Sequence, residues 1–168
     1  RGMTLIGKHL RAACANGHDI EARNGMAMGS LLSGMALAVG NVGAVHALAH
    51  TLGGSYGVPH GIANAMLLAP IMDYNRAHCV ERYARVAEML GEPVQGLSAE
   101  EASICAIEAV RRLTVDVGIP SRLREVGVPA DGLEGVAERC LATQGRILPN
   151  NPRELTRDDA IAILRALY

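Results

Sequence analysis

Apolar positions along this chain recur three and four residues apart almost from end to end. That spacing buries one face of a helix; a half-buried strand would alternate instead. The pattern and its breakers predict the elements. A first helix covers residues 4–15 and stops at Asn16-Gly17. Asp19 caps a second, long helix to about residue 39, rich in Met, Ala and Gly. Asn41 caps a third, which carries His46 and His50 and ends at Gly53-Gly54. Pro59 suits the first turn of a fourth, running through Ala63 and Met66 to about residue 75. A short helix over 80–90 precedes a loop at Gly91-Glu92-Pro93 and Gly96. Ser98 with Glu101 forms a capping box that opens a helix to about residue 117, and Gly118-Ile119-Pro120 breaks it. One or two helical turns over 121–126 and a helix over 133–143 follow. Residues 145–152 read as an extended loop, with Pro149 and Pro152 as breakers. Thr156 followed by Asp159 resembles an acidic start to a last helix that reaches the C-terminus. No strand, repeat or low-complexity segment stands out. The expected fold is all-α, a bundle of about seven to nine helices forming a single helical domain over residues 1–168.

Composition narrows the class. A chain of 168 residues can bury a sizeable core, and 49% hydrophobic with 20% charged residues is the balance of a globular protein. With neither Phe nor Trp, that core must be built from Leu, Ile, Val, Ala and Met. The net charge of −1 argues against an electrostatic nucleic-acid binder. No apolar run reaches membrane-spanning length uninterrupted, and the start lacks a signal-peptide pattern, so no membrane partner is expected. Met3 reads equally as a start codon behind two extra residues and as an internal residue of a longer protein. The cysteines, Cys14, Cys79, Cys105 and Cys140, are widely spaced and form no CxxC. They are expected to be reduced and mostly structural, in a cytoplasmic chain.

Candidate chemistry concentrates in one segment. Three of the six histidines, His46, His50 and His60, lie close together in an otherwise apolar run. Imidazole is the commonest protein ligand for transition metals and titrates near neutral pH. His46 and His50 are four apart and share a helix face. His60 lies beyond a glycine-rich turn, which must fold down if His46 and His60 are to converge. Neutral imidazoles bind Fe2+ or Zn2+ well, and a catalytic metal keeps an open position for water or substrate. A lone histidine in an apolar helix is more often a satisfied core residue; three in one short segment favour a metal or acid–base site. The Met-rich stretch with Met26, Met28 and Met35 reads as core rather than a thioether site. Asn64 and Tyr56 sit near the histidines, where orienting a ligand and capping a turn are equally open roles.

The same residues carry a resemblance. The run His46-Ala47-Leu48-Ala49-His50-Thr51-Leu52-Gly53-Gly54, then Tyr56, Val58-Pro59-His60-Gly61-Ile62-Ala63-Asn64-Ala65-Met66-Leu67-Leu68 and Pro70, resembles the C-terminal signature of the iron-containing (group III) alcohol dehydrogenases. Leu5-Ile6-Gly7-Lys8-His9-Leu10 and Ala22-Arg23-Asn24-Gly25-Met26-Ala27 resemble the helices before that signature. Asn151-Pro152-Arg153-Glu154-Leu155-Thr156 resembles the closing motif before the last helix. The resemblance therefore covers nearly the whole chain. It implies the helical metal-binding portion of a two-domain, NAD(P)-dependent alcohol dehydrogenase or aldehyde reductase. In that family an Asp and three His hold one divalent metal, Fe2+ or sometimes Zn2+. By the motif, His46 and His60 match the two later ligands. His50 matches a histidine beside the nicotinamide and the substrate, not a ligand and able to relay protons. The implied substrate is a small alcohol or aldehyde.

The chain also departs from that pattern. It has no Asp-x-x-x-His motif before its first helix to supply the first two ligands. It has no glycine-rich turn behind a strand, so NAD(P) would be bound mainly by the absent α/β domain. Alone, the chain is expected to bind metal weakly or not at all and to be inactive. An alternative is a stand-alone helical interaction or oligomerisation module derived from such an enzyme. Either way, an apolar face bared by the missing domain favours a homo-oligomer.

Overall fold

The computed structural model describes residues 1–168 and contains no strand. The helices are α1 (Gly2–Ala15), α2 (Ile20–Gly40), α3 (Ala44–Tyr56), α4 (His60–Asn75), α5 (Val80–Leu90), α6 (Ala99–Asp116), α7 (Leu133–Thr143) and α8 (Arg157–Ala166). Short 3-10 turns at Arg76–His78, Leu123–Val126, Ala130–Gly132 and Leu148–Asn150 fill the connections. The all-α class is as expected, and eight α-helices fall within the expected number. Most helix ends follow the local chemistry. Asp19 accepts from the Ala22 amide at the start of α2. Both capping boxes close in full, Ser98 with Glu101 and Thr156 with Asp159. No single helix is long and apolar enough to cross a membrane.

Two expected boundaries moved. Asn41 does not cap α3; it adopts a left-handed φ of 61°, and its side chain accepts from the next amide, Val42 N–H. A short polar side chain is the non-glycine type that tolerates this conformation. The cap position falls to Gly43. Gly53-Gly54 does not end α3 either. Both glycines lie inside the helix, which stops at Gly57 with φ 68°. A glycine in a helix interior costs only about 1 kcal/mol against alanine, and tertiary packing overrides it. The segment 145–152, expected as an extended loop, holds the 3-10 turn Leu148–Asn150.

By its internal contacts the chain divides into two compact units. One comprises Arg1–Gly40 and Cys79–Gly118, the other Asn41–His78 and Ile119–Tyr168. In the first unit, α1 lies against α2 through small residues. His9 is buried over Gly25, where an added Cβ would stand 2.3 Å from the imidazole Cδ2. On the same unit Gly7 lets α1 approach the backbone of Leu90 in α5, and Arg11 pairs with Asp116 of α6 at 2.6 Å. Beyond Gly29, α2 is a different surface: Leu31, Met35, Leu37 and Val39 are all exposed, Val39 to 90%.

The second unit holds the larger apolar core. Leu48 and Leu52 of α3, Leu67 and Ile71 of α4, Val136 and Cys140 of α7, and Leu164 of α8 are fully buried together with Leu123. Cys140 sits deep in that core, and burial pushes its thiol up to about 11. All four cysteines are unpaired, Cys14 exposed and Cys79 buried.

Candidate metal centre

The site is built on the α3–α4 hairpin of the second unit. Gly43 at the start of α3 brings no side chain to the cap. The Ala44 amide donates instead to Asn151 Oδ1, at 3.2 Å, from the segment before α8. Asn151 also pairs reciprocally with Asn75, the buried last residue of α4. Asn75 Nδ2 donates to Asn151 Oδ1 at 3.0 Å, and Asn151 Nδ2 donates to Asn75 Oδ1 at 2.8 Å. The end of α4 therefore returns to the beginning of α3.

Next to that pair, Tyr74 is clamped from the same segment. Its hydroxyl bonds to the Glu154 carbonyl and to Asp159 Oδ2, and the Arg153 guanidinium lies 4.0 Å over its ring.

At the other end of the hairpin, Gly57 reverses the chain. Val58 then folds inward, buried, with its carbonyl 3.3 Å from where a Cβ on Gly53 would stand. The turn thus folds down against α3, the condition for His60 to approach His46. It does so: the three imidazoles form a cluster. His46 and His60 ring centroids are 5.5 Å apart, His50 and His60 are 5.2 Å apart and stacked, and His46 and His50 are 6.1 Å apart. Burial first, then the neighbouring His60 and His50 rings, hold the His46 imidazole below its usual value. Near neutral pH that favours the uncharged ring, the form that binds a metal.

Asn64, one turn into α4, serves His60. Its Nδ2 donates to the His60 carbonyl at 2.8 Å and lies 3.0 Å from His60 Nε2. With the amide as donor, Nε2 is the acceptor, so the ring proton sits on Nδ1. Asn64 Oδ1 is buried without a partner. As a donor set the cluster supplies part of a coordination sphere. No group of three or more His, Cys, Asp or Glu side chains is placed to hold a metal ion on its own.

The other candidates lie elsewhere. The Tyr56 hydroxyl packs over Gly132 at the start of α7, where a Cβ would meet it at 2.0 Å. His9 is the buried contact of Gly25, and Cys79 is the buried cap position of α5. Met28 and Met35, expected in the core, are exposed on α2. Asn75 and Asn151 escaped the histidine spacing altogether. The only signal for Asn151 was its place in the closing motif. The sequence carries a further signal: between Arg23 and Asp73 there is no Asp, Glu, Lys or Arg.

Known proteins share both sequence and fold. The family model described as the C-terminal part of the Fe-containing alcohol dehydrogenase family matches residues 1–168. The chain is 42% identical to a 1,3-propanediol dehydrogenase of Klebsiella pneumoniae over 168 residues, which is 100% of this chain and 43% of that protein. It is 39% identical to a lactaldehyde reductase of Escherichia coli, again over 100% of this chain and 43% of the relative. Among solved structures, a 1,3-propanediol oxidoreductase matches with a TM-score of 0.95 at 42% identity, over 99% of this chain and 43% of that one. The chain thus spans less than half the length of the relatives it matches. With the signature histidines clustered on a helical scaffold of this shape, the chain belongs to the Fe-containing alcohol dehydrogenase family.

Proposed function

We propose that this chain is the helical, metal-binding portion of an NAD(P)-dependent alcohol dehydrogenase or aldehyde reductase. His46 and His60 are its metal ligands, and His50 stands beside the reacting atoms. The observation that carries this reading is the convergence of the three rings to within 5.2–6.1 Å of one another. His46 is desolvated and favours the neutral form, as a ligand must. His50 stacks on His60. With Asn64 as donor, His60 Nε2 carries no proton, as is required of a ligand nitrogen, and a metal there would take the place of the Asn64 amide bond. A bound Fe2+ or Zn2+ would supply Lewis-acid polarisation of an alcohol or aldehyde oxygen. On this reading the His50 ring, which is exposed, passes a proton between solvent and the reaction. The relatives named for 1,3-propanediol, lactaldehyde and methanol, the last also for NAD, support a small alcohol or aldehyde as substrate and a nicotinamide cofactor. That cofactor would be held mainly by residues outside these, since Gly53-Gly54 lies within a helix and follows no strand. The unpaired cysteines suit a reducing compartment, the cytoplasm.

Two imidazoles make half a coordination sphere, so the chain by itself should take up Zn2+ weakly and oxidise no alcohol. Titration with Zn2+ tests the assignment. His46→Ala and His60→Ala should each abolish the uptake, and His50→Ala should retain it. Unchanged uptake in the first two variants removes the ligand assignment. NAD(P)-dependent alcohol oxidation by the purified chain with added Fe2+ would overturn the expected inactivity.

A second reading is a helical module that associates with copies of itself. The exposed Leu31, Met35, Leu37 and Val39 on α2 favour it. Since either reading allows an oligomer, the zinc titration distinguishes the two: a stable oligomer in sedimentation whose metal uptake is nil supports the module.

A further inference from the structure

We propose that Asn151 is a positioning residue for the histidine cluster, setting the first turn of α3 and hence the place of His46. The inference rests on the reading of His46 as a ligand only for its consequence in chemistry; its geometric content stands alone. Gly43 cannot cap α3, and a Cβ there would stand 3.1 Å from Asn151 Oδ1, so the missing side chain is also what lets Asn151 come close. Asn151 then does from across the fold what a cap residue does locally, accepting from the Ala44 amide at 3.2 Å. His46 lies two residues further along that same turn.

The other bonds of Asn151 leave it no freedom. Oδ1 also accepts from Asn75 at 3.0 Å, and Nδ2 donates to Asn75 Oδ1 at 2.8 Å and to the Arg153 carbonyl at 2.6 Å. Its two donors and its acceptor oxygen are all engaged. Because Asn75 ends α4 and His60 begins it, one side chain ties the start of α3 to the far end of the helix that carries His60. A free helix end frays within its first turn. Here that turn holds His46, so fraying would move the ring away from His60.

The test separates this role from general stabilisation of the loop. Three variants of the chain are compared by NMR: Asn151→Leu, Asn151→Asp and Tyr74→Phe. The readouts are the ring-to-ring cross-relaxation between His46 and His60, and hydrogen exchange of the Ala44 amide. Asn151→Leu should speed Ala44 exchange by about tenfold, the size of a lost cap, and lose the His46–His60 contact. Asn151→Asp keeps the acceptor for Ala44 but sets its second oxygen against Asn75 Oδ1 and the Arg153 carbonyl, so Ala44 exchange should fall between wild type and Asn151→Leu. Tyr74→Phe removes bonds to the same loop at Glu154 and Asp159 but touches no α3 amide, so it should leave both signals unchanged. The proposal is overturned if Asn151→Leu keeps both signals, or if Tyr74→Phe alters them equally. Should Asn151→Leu not fold, the smaller Asn151→Ala decides: unchanged Ala44 exchange there sinks the idea. If the contact behaves as expected while the metal titration fails, only the ligand reading falls.

Discussion

At the scale of single residues, much of this protein depends on side chains that are absent. Gly25 faces the buried His9 ring with no room for a methyl group. Gly25→Ala should therefore destabilise the fold by about 1–3 kcal/mol, the cost of overpacking, although alanine is the better helix former. Denaturant midpoints check this, and a neutral or stabilising result would mean that α1 shifts freely on α2. Asp159 is held by what it does contact. The Thr156 hydroxyl first, then Tyr74, the Thr156 amide and Arg153, outweigh burial and hold its carboxyl below the usual value. The folded pKa is thus lower than the unfolded one. The stabilisation is complete above the unfolded carboxylate range, near pH 4, and is lost as pH falls through the lower folded value. The stability gap between wild type and Asp159→Asn should be constant at neutral pH and shrink in acid. A gap that does not change with pH would show that the carboxylate charge plays no part.

At the scale of helices, local chemistry announced nearly every element. The Ser98–Glu101 box, the Asp19 cap and the period of apolar residues each depend on neighbours a few positions away, so they are legible in one dimension. The misread boundaries needed distant partners. Asn41 looked like a cap and is a left-handed turn residue, because Asn151, more than a hundred positions on, caps α3 instead. Gly53-Gly54 looked like a stop and is helix interior; the Val58 carbonyl of the returning turn approaches Gly53 closely, while nothing lies near Gly54. The candidate site divides the same way. The histidines declared themselves by type and spacing, while Asn75 and Asn151, which hold their scaffold, became visible only once the two ends of the hairpin were seen together.

At the scale of the whole molecule, two units of similar secondary structure differ in how they are filled. The second encloses many large aliphatic side chains, and the first is filled mostly by alanines, with Ile107, Val110 and the buried His9. The apolar flank of α2 predicts behaviour in solution. Met35→Glu, at a position 62% exposed, should leave helix content unchanged and weaken self-association in sedimentation equilibrium. An unaltered association constant would place the contact elsewhere. The buried Cys140 gives the larger unit a property of its own. A thiol whose ionisation is pushed up to about 11 and which solvent does not reach stays silent toward alkylating reagents while α3, α7 and α8 remain packed. Exposed Cys14 reacts at once and marks time zero. The chain thus carries a built-in clock: with Cys79 and Cys105 replaced by serine, the delay between the first and second alkylation, followed by mass spectrometry, measures how often the core behind the histidines opens.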